Sequence, residues 1–179
     1  VFKNLMQYIE GDPRFEGLKR KHRDLVTTWV RKEHRNLIRM SREGLRVPEP
    51  LGVFKNVLVM EYIGDENSPS PKLREIEIEN PEEAYKILLH FLAVCWQRAR
   101  LVHGDFSPYN ILWHENSPLV IDVGQAVSIQ HPRAQEFLVR DIDRLVSWGK
   151  SQGLEVSTAE ALYDILNSEP DELLGFEEE

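Results

Sequence analysis

The segment Val102-His-Gly-Asp-Phe-Ser-Pro-Tyr-Asn110-Ile-Leu, followed twelve residues after its asparagine by Asp122 in Val120-Ile-Asp-Val-Gly, constrains this chain more than any other feature. Before it, Ile87, Leu88, Phe91, Leu92 and Cys95 recur at helical spacing. Asn80-Pro81-Glu82-Glu83 supplies that helix with an N-cap, a first-turn proline and a capping carboxylate, and the pattern predicts a helix to about Leu101. After it, the β-rich runs Ile111-Leu-Trp and Leu119-Val-Ile flank a turn at Glu115-Asn-Ser-Pro, which predicts a hairpin. A loop that leaves a helix and enters a hairpin presents Asp105 and Asn110 at one end of the sheet. Asp122, at the end of the next strand, reaches the same point, so three oxygen-bearing side chains converge.

Phosphoryl transfer needs such a cluster. One aspartate orients the attacking hydroxyl and accepts its proton, while an amide and a carboxylate hold Mg²⁺ on the nucleotide phosphates. Asp105 alone would read as a turn aspartate; the combination of loop, hairpin and second aspartate is what points to chemistry. The spacing is also that of the H-x-D-x-x-x-x-N catalytic loop of protein kinases, with an aspartate where D-F-G would lie. His103 is expected to pack beneath the loop. The other five histidines (His22, His34, His90, His114, His131) show no ligand pairing that would suggest a metal site of their own.

Upstream, Gly11-Asp12-Pro13 marks a turn, and a helix is expected from about His22 to Glu43, ended by Gly44. Its apolar stripe is Val26, Trp29, Val30, Leu37 and Met40, and Glu33 falls on that stripe. Leu51-Gly-Val-Phe and Val57-Leu-Val-Met predict a hairpin turning at Lys55-Asn56, after which Glu61-Tyr-Ile-Gly64 leads into a Ser/Pro-rich loop. Downstream, Pro132 is expected to start a helix to about Gly149, and Ser157-Thr-Ala-Glu160 to cap a last one.

The net charge of -8 argues against a general nucleic-acid binder. The charge is uneven, however: residues 14–46 hold Arg14, Lys19, Arg20, Lys21, Arg23, Arg31, Lys32, Arg35, Arg39, Arg42 and Arg46, while the last eleven residues are acidic. The basic stretch reads as a solvated helix face, with contact to RNA as the alternative. The longest apolar runs, such as Ile87 to Val94 interrupted by His90, fall well short of the roughly 20 residues that span a bilayer, and no membrane partner is expected. A single cysteine, Cys95, on an apolar helical face fits a small buried hydrophobe in a reducing, cytoplasmic setting.

The run Leu101-Val-His-Gly-Asp-Phe-Ser-Pro-Tyr-Asn-Ile-Leu, then Val120-Ile-Asp-Val-Gly-Gln-Ala-Val, His131-Pro132 and Phe137-Leu-Val-Arg-Asp141, resembles the RIO family of atypical serine/threonine protein kinases. The likeness is to the first, Rio1-like subfamily, in its archaeal form. Tyr8-Ile-Glu-Gly-Asp-Pro-Arg-Phe15, Lys32-Glu33-His-Arg-Asn-Leu37 and Val57 to Gly64 agree, so the resemblance covers nearly the whole chain. It implies an α+β, protein-kinase-like two-lobed fold, trimmed of the activation loop and peptide-docking helices. Residues 1–60 would be the remainder of an N-lobe, 61–71 a hinge and linker, and 72–179 a C-lobe.

By the same resemblance Asp105 is the catalytic aspartate, and Asn110 and Asp122 are the magnesium ligands. Asp122 would also accept phosphate itself. Glu33 would pair with an ATP-anchoring lysine, the alternative being a partly exposed glutamate with a local arginine partner, and Met60, Glu61 and Ile63 would line the adenine pocket. Asp141, among Phe137, Leu138 and Leu145, is expected either to receive backbone N–H groups of the loop or to serve as a buried structural carboxylate. The implied cofactors are ATP with Mg²⁺ or Mn²⁺, and the implied partners are the pre-ribosomal small subunit or its proteins, with rRNA contact through residues 14–46. A glycine-rich phosphate loop and a strand lysine belong upstream of residue 1 in this family; Lys3 and Lys55 are poorly placed to replace that lysine, and the natural protein is expected to continue upstream. Two other readings compete: a small-molecule phosphotransferase of the aminoglycoside or choline kinase type, and a nucleotide-regulated ribosome assembly factor with little catalysis.

Overall fold

Turn residues set the bounds of nearly every element in the computed structural model, which describes residues 6–15 and 22–175. Lys3, Lys19, Arg20 and Lys21 lie outside the described residues, as does the side chain of Arg23. A short helix α1 (Met6–Ile9) precedes the long α2 (His22–Arg42), which stops where Gly44 takes a φ of 75°. Strands β1 (Pro50–Phe54) and β2 (Val57–Met60) pair antiparallel across a tight turn in which Lys55 adopts a φ of 54°. Helix α3 (Pro81–Gln97) carries the expected cap, with the Glu83 N–H donating to Asn80 Oδ1 at 3.2 Å.

Helix α3 ends earlier than its apolar pattern predicts. Arg100 turns to a φ of 56°, and Leu101–Val102 leave as a two-residue strand, β3, that pairs antiparallel with β6 (Val127–Ser128). Between them lies the hairpin of β4 (Ile111–His114) and β5 (Ser117–Val120). Its two turn residues, Glu115 and Asn116, both have positive φ (52° and 59°), the requirement of a tight hairpin turn that follows the strand twist. Helix α4 (Ala134–Ser151) begins two residues after Pro132, and α5 (Thr158–Asn167) starts at Ser157, whose Oγ accepts the Glu160 N–H.

One continuous core joins α2, α3 and α4 through Leu37, Met40, Leu88, Leu92, Phe137 and Ile142. Each such side chain contributes about 1.5–3 kcal/mol by leaving water. A smaller cluster of Ile63, Leu112 and Leu119 packs beside the β4–β5 hairpin, with Ile121 against it. Cys95 is fully buried in α3, and burial raises its thiol pKa, so it is a packing residue. No helix of the described residues is long and apolar enough to cross a membrane.

Candidate active site

Strand β3 delivers the chain to the His103–Asn110 loop, and α4 fixes that loop from below. Asp141 is wholly buried on α4 and accepts two backbone N–H groups, from Gly104 at 2.7 Å and from Phe106 at 3.0 Å. Burial raises its pKa to about 6, against the lowering effect of those N–H donors and of Arg140 and Arg144. Of the two expectations for Asp141, the structure realises the first: it receives loop N–H groups. Gly104 itself has a φ of 81°, and a Cβ there would lie 3.2 Å from both the Gln125 carbonyl oxygen and the Tyr8 ring, so no other residue fits comfortably. The Gly104 carbonyl accepts from Tyr8 Oη at 3.0 Å and Arg140 Nη2 at 2.6 Å.

His103 lies under the loop as expected, edge-on to Phe106 with ring centroids 5.5 Å apart. Its Nδ1 accepts the Asp105 N–H at 3.2 Å, and burial lowers its pKa to about 4, so it is a neutral strut. With both neighbours pinned, the Asp105 carboxylate projects from a rigid turn. Asn110 Nδ2 donates to Asp105 Oδ2 at 3.1 Å and to the Asp105 carbonyl at 2.9 Å. Gln125 Nε2 donates to Oδ2 at 3.4 Å, and Arg144 Nη1 lies 2.5 Å from Oδ1.

Asp122 follows β5 directly. The Ile121 N–H donates to the Asn110 carbonyl at 2.9 Å, which ties its strand to the loop. Asp122 takes a left-handed conformation (φ 57°, ψ 64°), an arrangement that costs on the order of 1 kcal/mol and turns the chain into a 3₁₀ turn, Val123–Gln125. Asn36 of α2 clamps that turn by donating to the carbonyls of Val123 (2.9 Å) and Ala126 (3.1 Å). Gly124 sits where a Cβ would come within 2.7 Å of Trp29 Nε1 and 3.3 Å of Glu33 Oε2, so the turn presses directly on α2. Asp122 as a residue is exposed, yet its pKa is raised by partial desolvation of the carboxyl and by the Asp105 charge. Burial first, and then Asp122, raises the Glu33 pKa to about 7.

The Asp105 charge bears on Asp122, and the Asp122 charge on Glu33. Among the described residues no group of three or more His, Cys, Asp and Glu side chains forms a metal cage. The residues that could hold Mg²⁺ are Asn110 and Asp122, one amide and one carboxylate, with phosphate oxygens and water completing its shell. Lys55 stacks over Phe54 at 5.2 Å in the β1–β2 turn. At the end of β2, Met60 and Glu61 are exposed, and Glu61 Oε2 accepts the Glu49 N–H; Ile63 is buried against Leu112 and Leu119.

Glu33 has a testable consequence for stability. Its folded-state pKa lies above the ordinary 4.5, so between about 4.5 and 7 the folded protein binds more protons than the unfolded chain, and stability falls as pH rises through that window. Urea unfolding of wild type and Glu33→Gln at pH 5 and pH 7.5 should show wild type losing on the order of 2 kcal/mol more over that interval. Parallel pH curves for the two proteins would refute the assignment of this penalty to Glu33.

Several groups that shape the site lack an obvious sequence signal. No motif marks Arg140 or Arg144 as a partner of the loop, although Phe137, Asp141, Arg144 and Trp148 share one face of α4 at helical spacing. Gln125 and Asn36 lie within runs that resemble the RIO family, but no local rule marks what either side chain does.

The RIO domain family model matches residues 1–162 of this sequence. This chain belongs to the RIO domain family. The RIO-type serine/threonine-protein kinase Rio1 of Haloferax volcanii is 41% identical over 171 residues, which are 96% of this chain and 58% of that protein. Its counterpart from Thermoplasma acidophilum is 40% identical over 154 residues, 86% of this chain and 81% of that protein. Among solved structures, the Rio2 kinase from Chaetomium thermophilum superposes with a TM-score of 0.64 at 22% identity, over 82% of this chain and 48% of that one. A second structure of that kinase, an ADP/Mg²⁺-phosphoaspartate complex, gives 0.62 at 24% identity over 86% and 49%. These structural likenesses establish the protein-kinase-like α+β fold of this RIO domain. The chain spans little more than half the length of its Haloferax relative.

Proposed function

We propose that this RIO domain carries out ATP-dependent phosphoryl transfer to serine or threonine hydroxyls, with Mg²⁺ as cofactor. The observation that carries this reading is the pinned loop on which Asp105 and Asn110 share a hydrogen bond, with the strand leading to Asp122 tied to it by the Ile121 N–H on the Asn110 carbonyl. The names of the Rio1 relatives, which are kinases, support it. Asp105 orients the hydroxyl and receives its proton. Asn110 uses its amide N–H groups on Asp105, which leaves its carbonyl oxygen as a metal donor beside Asp122. Mg²⁺, when bound, neutralises charge on the β- and γ-phosphates. Glu33 serves the anchoring of a lysine to ATP, and Met60, Glu61 and Ile63 border the adenine. Residues 61–71 act as hinge between an N-lobe portion (1–60) and a C-lobe (72–179).

We assign to Asp122 a second role: a carboxylate oxygen bonds to the γ-phosphorus of ATP as the bond to the β-phosphate oxygen breaks, which leaves an aspartyl phosphate and ADP. The Chaetomium enzyme's phosphoaspartate complex supports such chemistry in a protein of this fold. The biological setting is proposed to be maturation of the small ribosomal subunit in the cytoplasm. The exposed Arg31, Arg35, Arg39 and Arg42 of α2 supply a surface for rRNA contact and favour a second, compatible reading as a nucleotide-regulated assembly factor.

The test is ATP turnover by the full-length protein. EDTA should abolish it and excess Mg²⁺ restore it. A hydroxylamine-labile phosphoprotein should be trapped in wild type and be missing in Asp122→Ala. Turnover indifferent to EDTA, or label retained in Asp122→Ala, would overturn the corresponding assignment.

A further inference from the structure

A cleft of about 830 Å³ opens on the side of Asp105 that faces α4. One wall is the α4 face carrying Arg140, Arg144 and Trp148; the other is formed by Leu73, Arg74 and Ile76 and by the loop segment Ser107 to Tyr109. The two loop segments are tied together, since the Arg74 N–H donates to the Pro108 carbonyl and the Arg74 guanidinium lies 4.4 Å over the exposed Tyr109 ring. The size falls within the range of sites that hold a small ligand or a few residues of an extended peptide.

The cleft departs from the acidic balance of the chain as a whole. The chain carries a net charge of -8, yet three arginines line the cleft. Two carboxylates, Asp105 and Asp143, share it, and Asp143 is engaged by the Thr158 hydroxyl at 2.7 Å. Arg140 is committed to Tyr8 and the Gly104 carbonyl. Arg74 and Arg144 remain as the guanidinium groups that face an incoming ligand. Stacking on Tyr109 holds the Arg74 plane but leaves its edge N–H groups free for a carboxylate.

Arg144 also bears on how Asp105 can act. Oδ2 of Asp105 is taken by Asn110 and Gln125, and Oδ1 by Arg144. One lone pair of Oδ1 stays open, so a hydroxyl entering from the cleft meets a carboxylate whose charge is shared with the Arg144 guanidinium. The pair is 38% and 28% exposed at its two side chains, so a competing anion can reach the guanidinium. We infer that the cleft is the acceptor groove, that it takes a polypeptide segment with an acidic residue next to the hydroxyl, and that Arg144 is the specificity-determining residue. The acidic side chain takes the outer N–H groups of Arg144, with Arg74 gripping a second carboxylate, and so sets the hydroxyl against the open lone pair of Oδ1 that receives its proton. The inference rests on the kinase reading above, because it needs a hydroxyl acceptor.

The experiment compares two serine peptides on the full-length protein with MgATP, one flanked by glutamates and one by alanines. A charge-assisted contact of this kind predicts kcat/KM about tenfold higher for the glutamate peptide. The ratio of the two rates should collapse to about unity in Arg144→Ala, recover in part in Arg144→Lys, and fall two- to threefold in Arg74→Ala. Because the ratio is internal to each protein, a general loss of activity does not mimic the result. Binding of the same peptides with alanine in place of serine, read by fluorescence anisotropy, tests the groove without turnover and should show the same ranking. Equal rates and equal binding for the two peptides in wild type, or a preference that survives Arg144→Ala, overturn the groove assignment. So does a single-stranded RNA oligonucleotide that displaces the glutamate peptide at lower concentration than free glutamate peptide does. Absence of any ATP turnover in wild type would instead sink the kinase reading, while the anisotropy result would still decide the groove.

Discussion

Asp105→Asn is expected to lower kcat for ATP-dependent phosphoryl transfer by about 10²–10⁴, the range for loss of a positioned general base. The same change should leave the folded protein within about 1 kcal/mol of wild type. The two expectations come from the same geometry. The Asp105 side chain is 28% exposed, and its ion-pair partner Arg144 is 38% exposed, so their attraction is screened and adds little to stability. An asparagine keeps the volume and one oxygen to accept from Asn110, and the Arg144 donor that its NH₂ would face is a partly exposed side chain that can turn to solvent, so the loop retains its shape. It no longer carries the charge that attracts a hydroxyl proton. Single-turnover transfer and thermal unfolding, measured on the same preparation, check both halves. A rate within tenfold of wild type would sink the catalytic reading and favour a binding factor built on a kinase fold. A large fall in the midpoint of unfolding would show instead that Asp105 is a structural turn residue.

Much of this site was legible in the sequence because it is written in local rules. The N-cap at Asn80, the capping serine at Ser157 and the two hairpin turns each rest on residues within a few positions of one another, and all four form. The convergence of Asp105, Asn110 and Asp122 followed from those elements, since a hairpin must bring its two ends together. What stayed hidden depends on contacts between distant parts of the chain. The β3–β6 pair joins Leu101–Val102 to Val127–Ser128 with two residues on each side, too few to show a period, and it is why α3 stops at Gln97. Lys32 is a clearer case. Within a basic stretch read as a solvated face it is fully buried, its ammonium 4.6 Å over the Trp29 ring and 4.0 Å from Asp12 Oδ2. Burial, with Arg14 adding to it, lowers its pKa to about 7. Nothing in the local pattern separates it from its exposed neighbours Arg31 and Arg35; only the arrival of Phe15 and Asp12 from the preceding turn does.

Asp141→Ala should be the most destabilising single change at the site, and it should damage chemistry and stability together. Removing the carboxylate leaves the N–H groups of Gly104 and Phe106 buried without acceptors, at about 1–3 kcal/mol each. It also leaves Arg140 and Arg144 with less opposing charge. Some of the loss is offset, because a carboxylate whose pKa burial has raised to about 6 is itself costly to keep ionised. A net loss of about 3 kcal/mol follows, which for a chain of 179 residues lowers the midpoint of thermal unfolding by roughly 6–12 °C. Asp141→Asn is the sharper probe. Its amide oxygen can accept one of the two N–H groups, but its NH₂ must then face the other donor, so the loop is pushed out of place on one side. Phosphoryl transfer should fall at least about tenfold in the asparagine variant at a temperature where it is fully folded, since a displacement of about 1 Å in a catalytic group is enough for larger losses. Amide hydrogen exchange at Gly104 and Phe106 reads the same event directly and should accelerate in both variants. If exchange at these two amides is unchanged while stability drops, Asp141 supports α4 alone and the loop owes its rigidity to Tyr8 and Arg140 instead.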